Sequence, residues 1–201
     1  MDQSPRSIAV LIGSTRTPRI GPQVAKLVLS LLEPEARAKR MTLCLVDVAS
    51  FNLPVFNEPA APAMVPAFAS HVHEATKAWS REISKHAGYV WVIPEYNGGL
   101  AGGTKNSIDY LYNEWPGKPA MVVGYGIKGG LWAAEQLKQT LQVMKLNVVE
   151  KLSTLTFEGG AGADLTLAMQ GELGAATRAK WEAESGRLQE AFQDLIALLE
   201  G

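Results

Sequence analysis

The segment Gly13-Ser14-Thr15-Arg16-Thr17-Pro18-Arg19-Ile20-Gly21 gathers three hydroxyls and two guanidinium groups between an apolar run and a helical pattern. Backbone N–H groups at a helix start, together with the helix dipole, favour an anion there. Ser14, Thr15 and Thr17 add hydroxyl donors, and Arg16 and Arg19 add planar donors suited to phosphate. The competing reading is an ordinary Gly-Ser turn with two solvated arginines. A Walker loop is excluded, because no Gly-Lys-Ser/Thr closes the segment. A second segment, Pro94-Glu95-Tyr96-Asn97-Gly98-Gly99, offers a flat ring with a polar tip in Tyr96 and a side chain that both donates and accepts in Asn97. Gly98 and Gly99 let backbone approach a planar ligand closely. Alone, the segment reads equally as an Asn-Gly turn. A third segment, Gly124-Tyr125-Gly126-Ile127-Lys128-Gly129-Gly130, fits G-x-G-x-x-G, and Glu150 follows at the distance of a ribose-binding acid. Only one further strand and helix follow it, too few for a dinucleotide-binding half begun there.

The elements that position these segments alternate along the chain. Ser7 to Gly13 reads as a first strand. Val24, Leu27, Val28, Leu31 and Leu32 recur at helical spacing, in a helix expected to stop before Pro34. Met41 to Val48 is a second strand, followed by a Pro- and Ala-rich loop. Phe68, Val72, Ala75, Trp79 and Ile83 line one face of a long helix. Tyr89 to Ile93 is a third strand, apolar throughout, as when both faces are covered. A helix from about Thr104 to Tyr112, a fourth strand from Pro119 to Val123 and a helix marked by Leu131, Leu137, Leu141 and Met144 come next. Asn147 to Leu152, extending towards Phe157, is the fifth strand. Gly159, Gly160 and Gly162 form a loop before one final amphipathic helix through Trp181, Leu188, Phe192, Leu195 and Leu199. Such alternation implies a parallel sheet wrapped by helices through right-handed crossovers, with ligands beyond the carboxyl ends of the strands. Two strand orders satisfy that pattern. No repeat and no interdomain linker interrupts residues 1–201, which read as one domain.

Composition narrows the function. The chain has 201 residues and a net charge of −1, so it carries no overall positive field for nucleic acid or an anionic membrane surface. A phosphate ligand therefore needs a local basic site. The apolar run Ile8 to Ile12 is too short for a signal segment, no stretch has transmembrane length, and a reducing cytoplasm is the expected compartment. The single cysteine, Cys44, forms no internal disulfide and sits in an apolar run, which gives it a buried packing role. His71 and His73, two apart on the expected helix, diverge and read as surface residues, and His86 as a cation near a helix end. No metal cluster and no nucleophile elbow is visible.

Taken together, Gly13-Ser14-Thr15-Arg16, Pro94-Glu95-Tyr96-Asn97-Gly98 and Lys105-Asn106-Ser107-Ile108-Asp109-Tyr110-Leu111 resemble the NADPH-dependent FMN reductase family, which includes quinone, azo-dye and chromate reductases. Tyr110-Leu111-Tyr112-Asn113-Glu114-Trp115 and Gly117-Lys118-Pro119 add to the likeness, which runs in order from about Ile8 to Leu146. The resemblance implies a flavodoxin-like α/β fold, a five-stranded parallel sheet of order 2-1-3-4-5 with helices on both faces. It implies FMN as cofactor and NADPH or NADH as co-substrate, with hydride passed through FMN to a small acceptor (flavin, quinone, azo dye or metal oxyanion) by a ping-pong mechanism. The implied cofactor-binding residues are Ser14, Thr15, Arg16, Arg19, Ile20 and Gly21 at the phosphate, Pro94, Glu95, Tyr96, Asn97 and Gly98 beside the ring, and Gly124, Tyr125 and Gly126 at its pyrimidine end. No side chain is named as catalytic. Lys105 and Asn106 are expected to brace the Pro94–Gly98 loop. A homodimer or tetramer is implied, with Tyr110, Tyr112 and Trp115 as interface or core. The chain departs from the family pattern at Gly124, at Ile127 and in Leu100-Ala101-Gly102-Gly103-Thr104. An FMN-binding redox sensor or partner-binding protein with little turnover is the alternative. An electron-carrier flavodoxin fits less well, given Arg16, Arg19 and the near-zero net charge.

Overall fold

A computed structural model describes residues 5–66 and 71–201. Strand β1 is Arg6–Ile12, helix α1 Gly21–Ala38, β2 Met41–Asp47, α2 Glu74–Ser84, β3 Gly88–Tyr96, β4 Gly99–Leu100 and α3 Gly102–Asp109. Then come β5 Pro119–Gly126, α4 Leu131–Val143, β6 Asn147–Val148, β7 Ser153–Thr156, α5 Ala163–Met169, α6 Ala175–Ala183 and α7 Gly186–Glu200. The sheet runs β2-β1-β3-β5-β6, with β7 also parallel to β5 and β4 antiparallel to β3. This is the flavodoxin-like order, with the split edge counted as the fifth strand.

The central strands are apolar on both faces, and their side chains divide with a period of two. Ile8, Val10 and Ile12 of β1 join Val90 and Val92 of β3 and Met121 and Val123 of β5 in one core, closed by α1 and α7. Ala9 and Leu11 join Tyr89, Trp91, Ile93, Ala120 and Val122 in the other, beneath α2, α3 and α4. Trp115 is the centre of this second core. Its ring lies 5.3 Å from Tyr89, 6.1 Å from Trp91 and 6.4 Å from Trp79, and its Nε1 donates to Leu111 O at 3.1 Å. Tyr110 and Trp115 are thus core residues and leave no ring free for a subunit contact, while Tyr112 is half-buried.

Several elements differ from the sequence expectation, each for a physical reason. Helix α1 passes through Pro34 and ends at Ala38. Pro34 faces solvent while Leu32 and Ala36 on either side are buried against the core, so packing outweighs the lost hydrogen bond. Helix α2 starts at Glu74, with Val72 exposed ahead of it, and Phe68 lies outside the described residues. Helix α3 starts two residues and stops three residues before the expected bounds. The fifth strand is broken. Val148 pairs with Ala120 and Ser153 with Val123, so five steps on the edge face three on β5 and the surplus bulges outward. Glu150 sits in this bulge and is held by Lys138, far from any ribose role.

The final helix divides into α6 and α7, because Trp181 turns to stack on Phe157 at 5.6 Å and to donate to Thr156 O at 2.7 Å, while α7 covers β5. Helix α5 lies where the sequence predicts only a glycine-rich loop before the final helix. The histidines also differ from expectation. His71 lies ahead of α2 and is buried, its Nε2 3.4 Å from Glu114 Oε1. His86 is buried too, and burial lowers its pKa, so it is no cation at a helix end. Cys44 is only half-buried on edge strand β2, 3.4 Å from Ser7 Oγ.

Candidate functional site

The anion loop forms because β1 ends at Ile12 and the chain must turn over the sheet before α1. The turn is tight. A Cβ on Gly13 would lie 2.7 Å from Thr104 Oγ1, which donates to Gly13 O at 2.8 Å. The backbone N–H groups of Ser14, Thr15, Arg16 and Thr17 find no backbone acceptor among the described residues. Helix α1 has no acidic residue in its first turn and no side-chain cap. The loop thus presents a run of unclaimed donors at a helix N-terminus, which favours an anion.

The two arginines are used differently. Arg19 is half-buried; its NH2 donates to Asp47 Oδ2 at 2.5 Å and its NH1 to Ser14 O at 2.9 Å. It is a brace that ties the loop to the end of β2. Arg16 is exposed, has no carboxylate partner among the described residues, and lies over the Tyr96 ring at 5.4 Å. Ser14 is fully buried near the Tyr125 phenol, whose pKa burial raises above its ordinary value. The Tyr96 phenol is also raised by burial, an effect that Arg16 and Arg19 oppose.

The second loop is both of the things its sequence allowed. Asn97 has φ 52° and Gly98 φ 72°, and Tyr96 pairs with Gly99, so Asn97-Gly98 is the tip of a two-residue hairpin. The same hairpin carries Tyr96 and Asn97 to the carboxyl end of the sheet. The Glu95 side chain is committed elsewhere, since its Oε2 accepts from Trp132 N at 3.0 Å and Ala133 N at 3.4 Å and so caps α4. Asn106 does not brace this hairpin. It accepts from Phe56 N at 2.9 Å and donates to Pro54 O at 2.6 Å, fastening the chain after β2, while Lys105 pairs with Asp109.

A cleft of about 390 Å³ opens where the loops meet. Of the residues singled out from sequence, Arg16, Arg19, Ile20, Pro94, Glu95, Tyr96, Asn97, Tyr125 and Gly126 line it. Ser14, Thr15, Gly21, Gly98 and Gly124 do not. Gly124 lies under the following loop, where a Cβ would meet Gly130 O at 2.7 Å and Gly129 O at 2.8 Å. Gly98 faces a second, shallower groove beside Trp132. Sequence reasoning missed Phe157, Leu165, Ala168 and Met169 as cleft residues and noted Ile127 only as a departure. Helix α5 has only seven residues, in a short run between Gly162 and Gly171 that carries little periodic signal.

The fold and the site together define a flavodoxin-like protein with an anion loop and an adjoining slot for a planar group at the carboxyl ends of its strands. The chain belongs to the family described as NADPH-dependent FMN reductase, whose sequence profile matches residues 6–158. It is 45% identical over 190 residues to the NAD(P)H-dependent FMN reductase ntnL of Nectria sp, covering 94% of this chain and 92% of that protein. It is 33% identical over 142 residues to a quinone reductase of Pseudomonas putida, covering 67% and 69%. Among solved structures, the flavoenzyme NAD(P)H:(acceptor) oxidoreductase FerB of Paracoccus denitrificans superposes with a TM-score of 0.67 at 23% identity, covering 97% of each chain.

The residues present fit FMN. The N–H groups of Ser14 to Thr17 and Arg16, without backbone acceptor or carboxylate partner among the described residues, suit its phosphate, and the cleft beside them, walled by Pro94, Tyr96 and Tyr125, suits a flat heterocycle. No helix among the described residues is long and apolar enough to cross a membrane.

Proposed function

We propose that this enzyme, an FMN-dependent NAD(P)H oxidoreductase, holds the FMN phosphate in the Ser14–Gly21 loop and the ring between Tyr96 and Gly126. The observation that carries this assignment is the convergence of an anion-ready helix start and a planar cleft on one end of the sheet. When bound, FMN supplies two-electron exchange between nicotinamide and acceptor. For a quinone the overall reaction balances as NAD(P)H, one proton and quinone giving NAD(P)⁺ and hydroquinone.

The chain's own work is binding, orientation and shielding. Arg16 and the loop N–H groups neutralise the phosphate. Arg19, held by Asp47, keeps the loop backbone in place. The hairpin carries Tyr96 and Asn97 to the cleft wall, where they would meet the ring, and the left-handed turn at Asn97-Gly98 makes that hairpin tight. Gly124 permits the Gly126–Gly130 loop to fold down, which brings the Gly126 backbone and Ile127 to the cleft. Glu95, the one carboxylate on the cleft wall among the described residues, is engaged by α4, so proton delivery falls to solvent.

The protein works as a homodimer in a reducing cytoplasm. Its contact surface includes the exposed apolar side chains Leu131 and Trp132 at the start of α4, beside the cleft. Light scattering at low micromolar concentration should report twice the monomer mass; a fully active monomer would remove this part of the proposal. The site assignment is tested by titrating apo-protein with FMN and riboflavin, then adding NADPH or NADH without oxygen. FMN should bind at least tenfold more tightly, and the flavin absorbance should bleach. Equal affinity for the two flavins would overturn the phosphate assignment. Bound FMN that neither nicotinamide reduces would point to a redox sensor instead.

A further inference from the structure

Helix α5 lies beyond residue 158, where the match to the family ends, yet it supplies Leu165, Ala168 and Met169 to the cleft. The rest of that wall, Phe157 and Ile127, is also apolar. Charge enters the cleft from Arg16, Arg19 and Glu95 alone among the described residues, and Arg19 and Glu95 already have partners. Met169 is 60% exposed and Ile127 50%. Two large apolar side chains thus stand at the cleft, offering surface to a ligand.

The wall is clamped at both ends. At its start, Asp164 Oδ2 accepts from Thr177 N at 2.6 Å, and Glu158 N donates to Thr177 Oγ1 at 3.0 Å. Beyond its end, Gln23 of α1 donates through Nε2 to Gly171 O at 2.8 Å, and Gly171 turns the chain with φ 89°. Ala168 is buried in the core beside Phe157. These ties hold α5 against the start of α1, next to the anion loop, as a fixed surface.

Resting on the oxidoreductase reading above, we infer that α5 selects the electron acceptor. Its Met169, with Ile127, favours planar apolar acceptors of two or more rings over compact anions. A bicyclic quinone buries its second ring against this wall, while an inorganic anion gains nothing from it. The flavin loops do not include α5, so acceptor preference and FMN affinity separate.

The test uses holoenzyme and two acceptors. One is 1,4-naphthoquinone, which takes two electrons and two protons. The other is ferricyanide, of which two ions each take one electron per NADPH, releasing one proton. Met169→Gln keeps the length of an exposed side chain and removes its apolar end, so folding is not at stake. It should lower kcat/KM for naphthoquinone about fivefold, with ferricyanide within about twofold, FMN affinity unchanged, and Met169→Leu restoring the wild-type ratio. Calorimetric binding of 2-naphthol, which accepts no electrons here, should weaken about fivefold in the Gln variant. Equal losses with both acceptors, no loss with naphthoquinone, or a shifted FMN affinity would each overturn the inference. If the wild-type protein oxidises neither NADPH nor NADH, the enzyme reading fails instead, and the 2-naphthol titration still decides whether α5 binds planar apolar molecules.

Discussion

Arg16 and Arg19 carry the same guanidinium three residues apart, and the fold gives them opposite duties. Arg19 reaches inward to Asp47 and the Ser14 carbonyl, so its charge is matched before any ligand arrives. Arg16 remains exposed over Tyr96, with its donors available. A charge-assisted hydrogen bond contributes roughly 1.5–3 kcal/mol, so Arg16→Ala should weaken FMN at least tenfold and leave riboflavin almost unchanged. The Asp47 substitution discriminates two roles for Arg19. If Asp47 merely offset a phosphate ligand, Asp47→Asn would strengthen FMN binding by freeing a cation. As a brace, its loss lets the loop relax, so Asp47→Asn should weaken FMN several-fold, with Asp47→Glu recovering part of it. Fluorescence titration of the apo-variants reads both. This division of labour was not legible in the sequence. The loop composition announced an anion site, but Asp47 lies at the end of another strand, and only parallel pairing of β1 with β2 brings it opposite Ile12.

At the scale of elements, period and punctuation pointed to a parallel sheet wrapped by helices but left two strand orders open, and the observed order is the one the family resemblance implies. Strands β1, β3 and β5 are apolar on both faces, which sequence expresses as unbroken Val, Ile and Leu runs. The edges were harder to read. The outward bulge between β6 and β7 leaves no alternation to detect, and α5 and α6 are short helices whose faces are set by tertiary partners. The burial of His71 and His86 is hidden from the sequence for the same reason, because local spacing says nothing about what packs over a corner. His86 closes the turn from α2 to β3, with Nδ1 2.8 Å from Ser7 Oγ and Nε2 3.2 Å from Glu82. Burial is the main cause of its lowered pKa, with Glu82 opposing. Protonation of His86 is harder in the folded protein than in the unfolded chain, which takes up a proton near the ordinary value of 6.5. The unfolded state therefore binds more protons below that pH, and stability is lost as pH falls from about 6.5 through the folded pKa. Urea midpoints should decline between pH 7 and pH 5 and decline less in His86→Gln. An identical slope in the variant would assign the pH dependence to other groups.

For the whole molecule, the proposed function asks one cleft to serve two substrates. Its volume of about 390 Å³ lies near the lower end for small-molecule sites, and the second groove, beside Gly98 and Trp132, is a shallow surface feature. The cleft is lined by the ends of β3 and β5, the anion loop, the hairpin and α5. On the proposed assignment the nicotinamide ring and the acceptor ring would share this cleft, and each would exclude the other. With a net charge of −1 the protein adds no long-range field to favour an anionic donor, so occupancy is decided by contacts within the cleft. Double-reciprocal plots at several fixed acceptor concentrations should then be parallel, the signature of a ping-pong sequence. NADP⁺ should compete with the acceptor, because the product of the first half occupies the space needed by the second. Intersecting lines, or a complex holding NADP⁺ and a bicyclic acceptor analogue together, would show that the cleft admits both at once and that the walls drawn by the hairpin and α5 open further in solution.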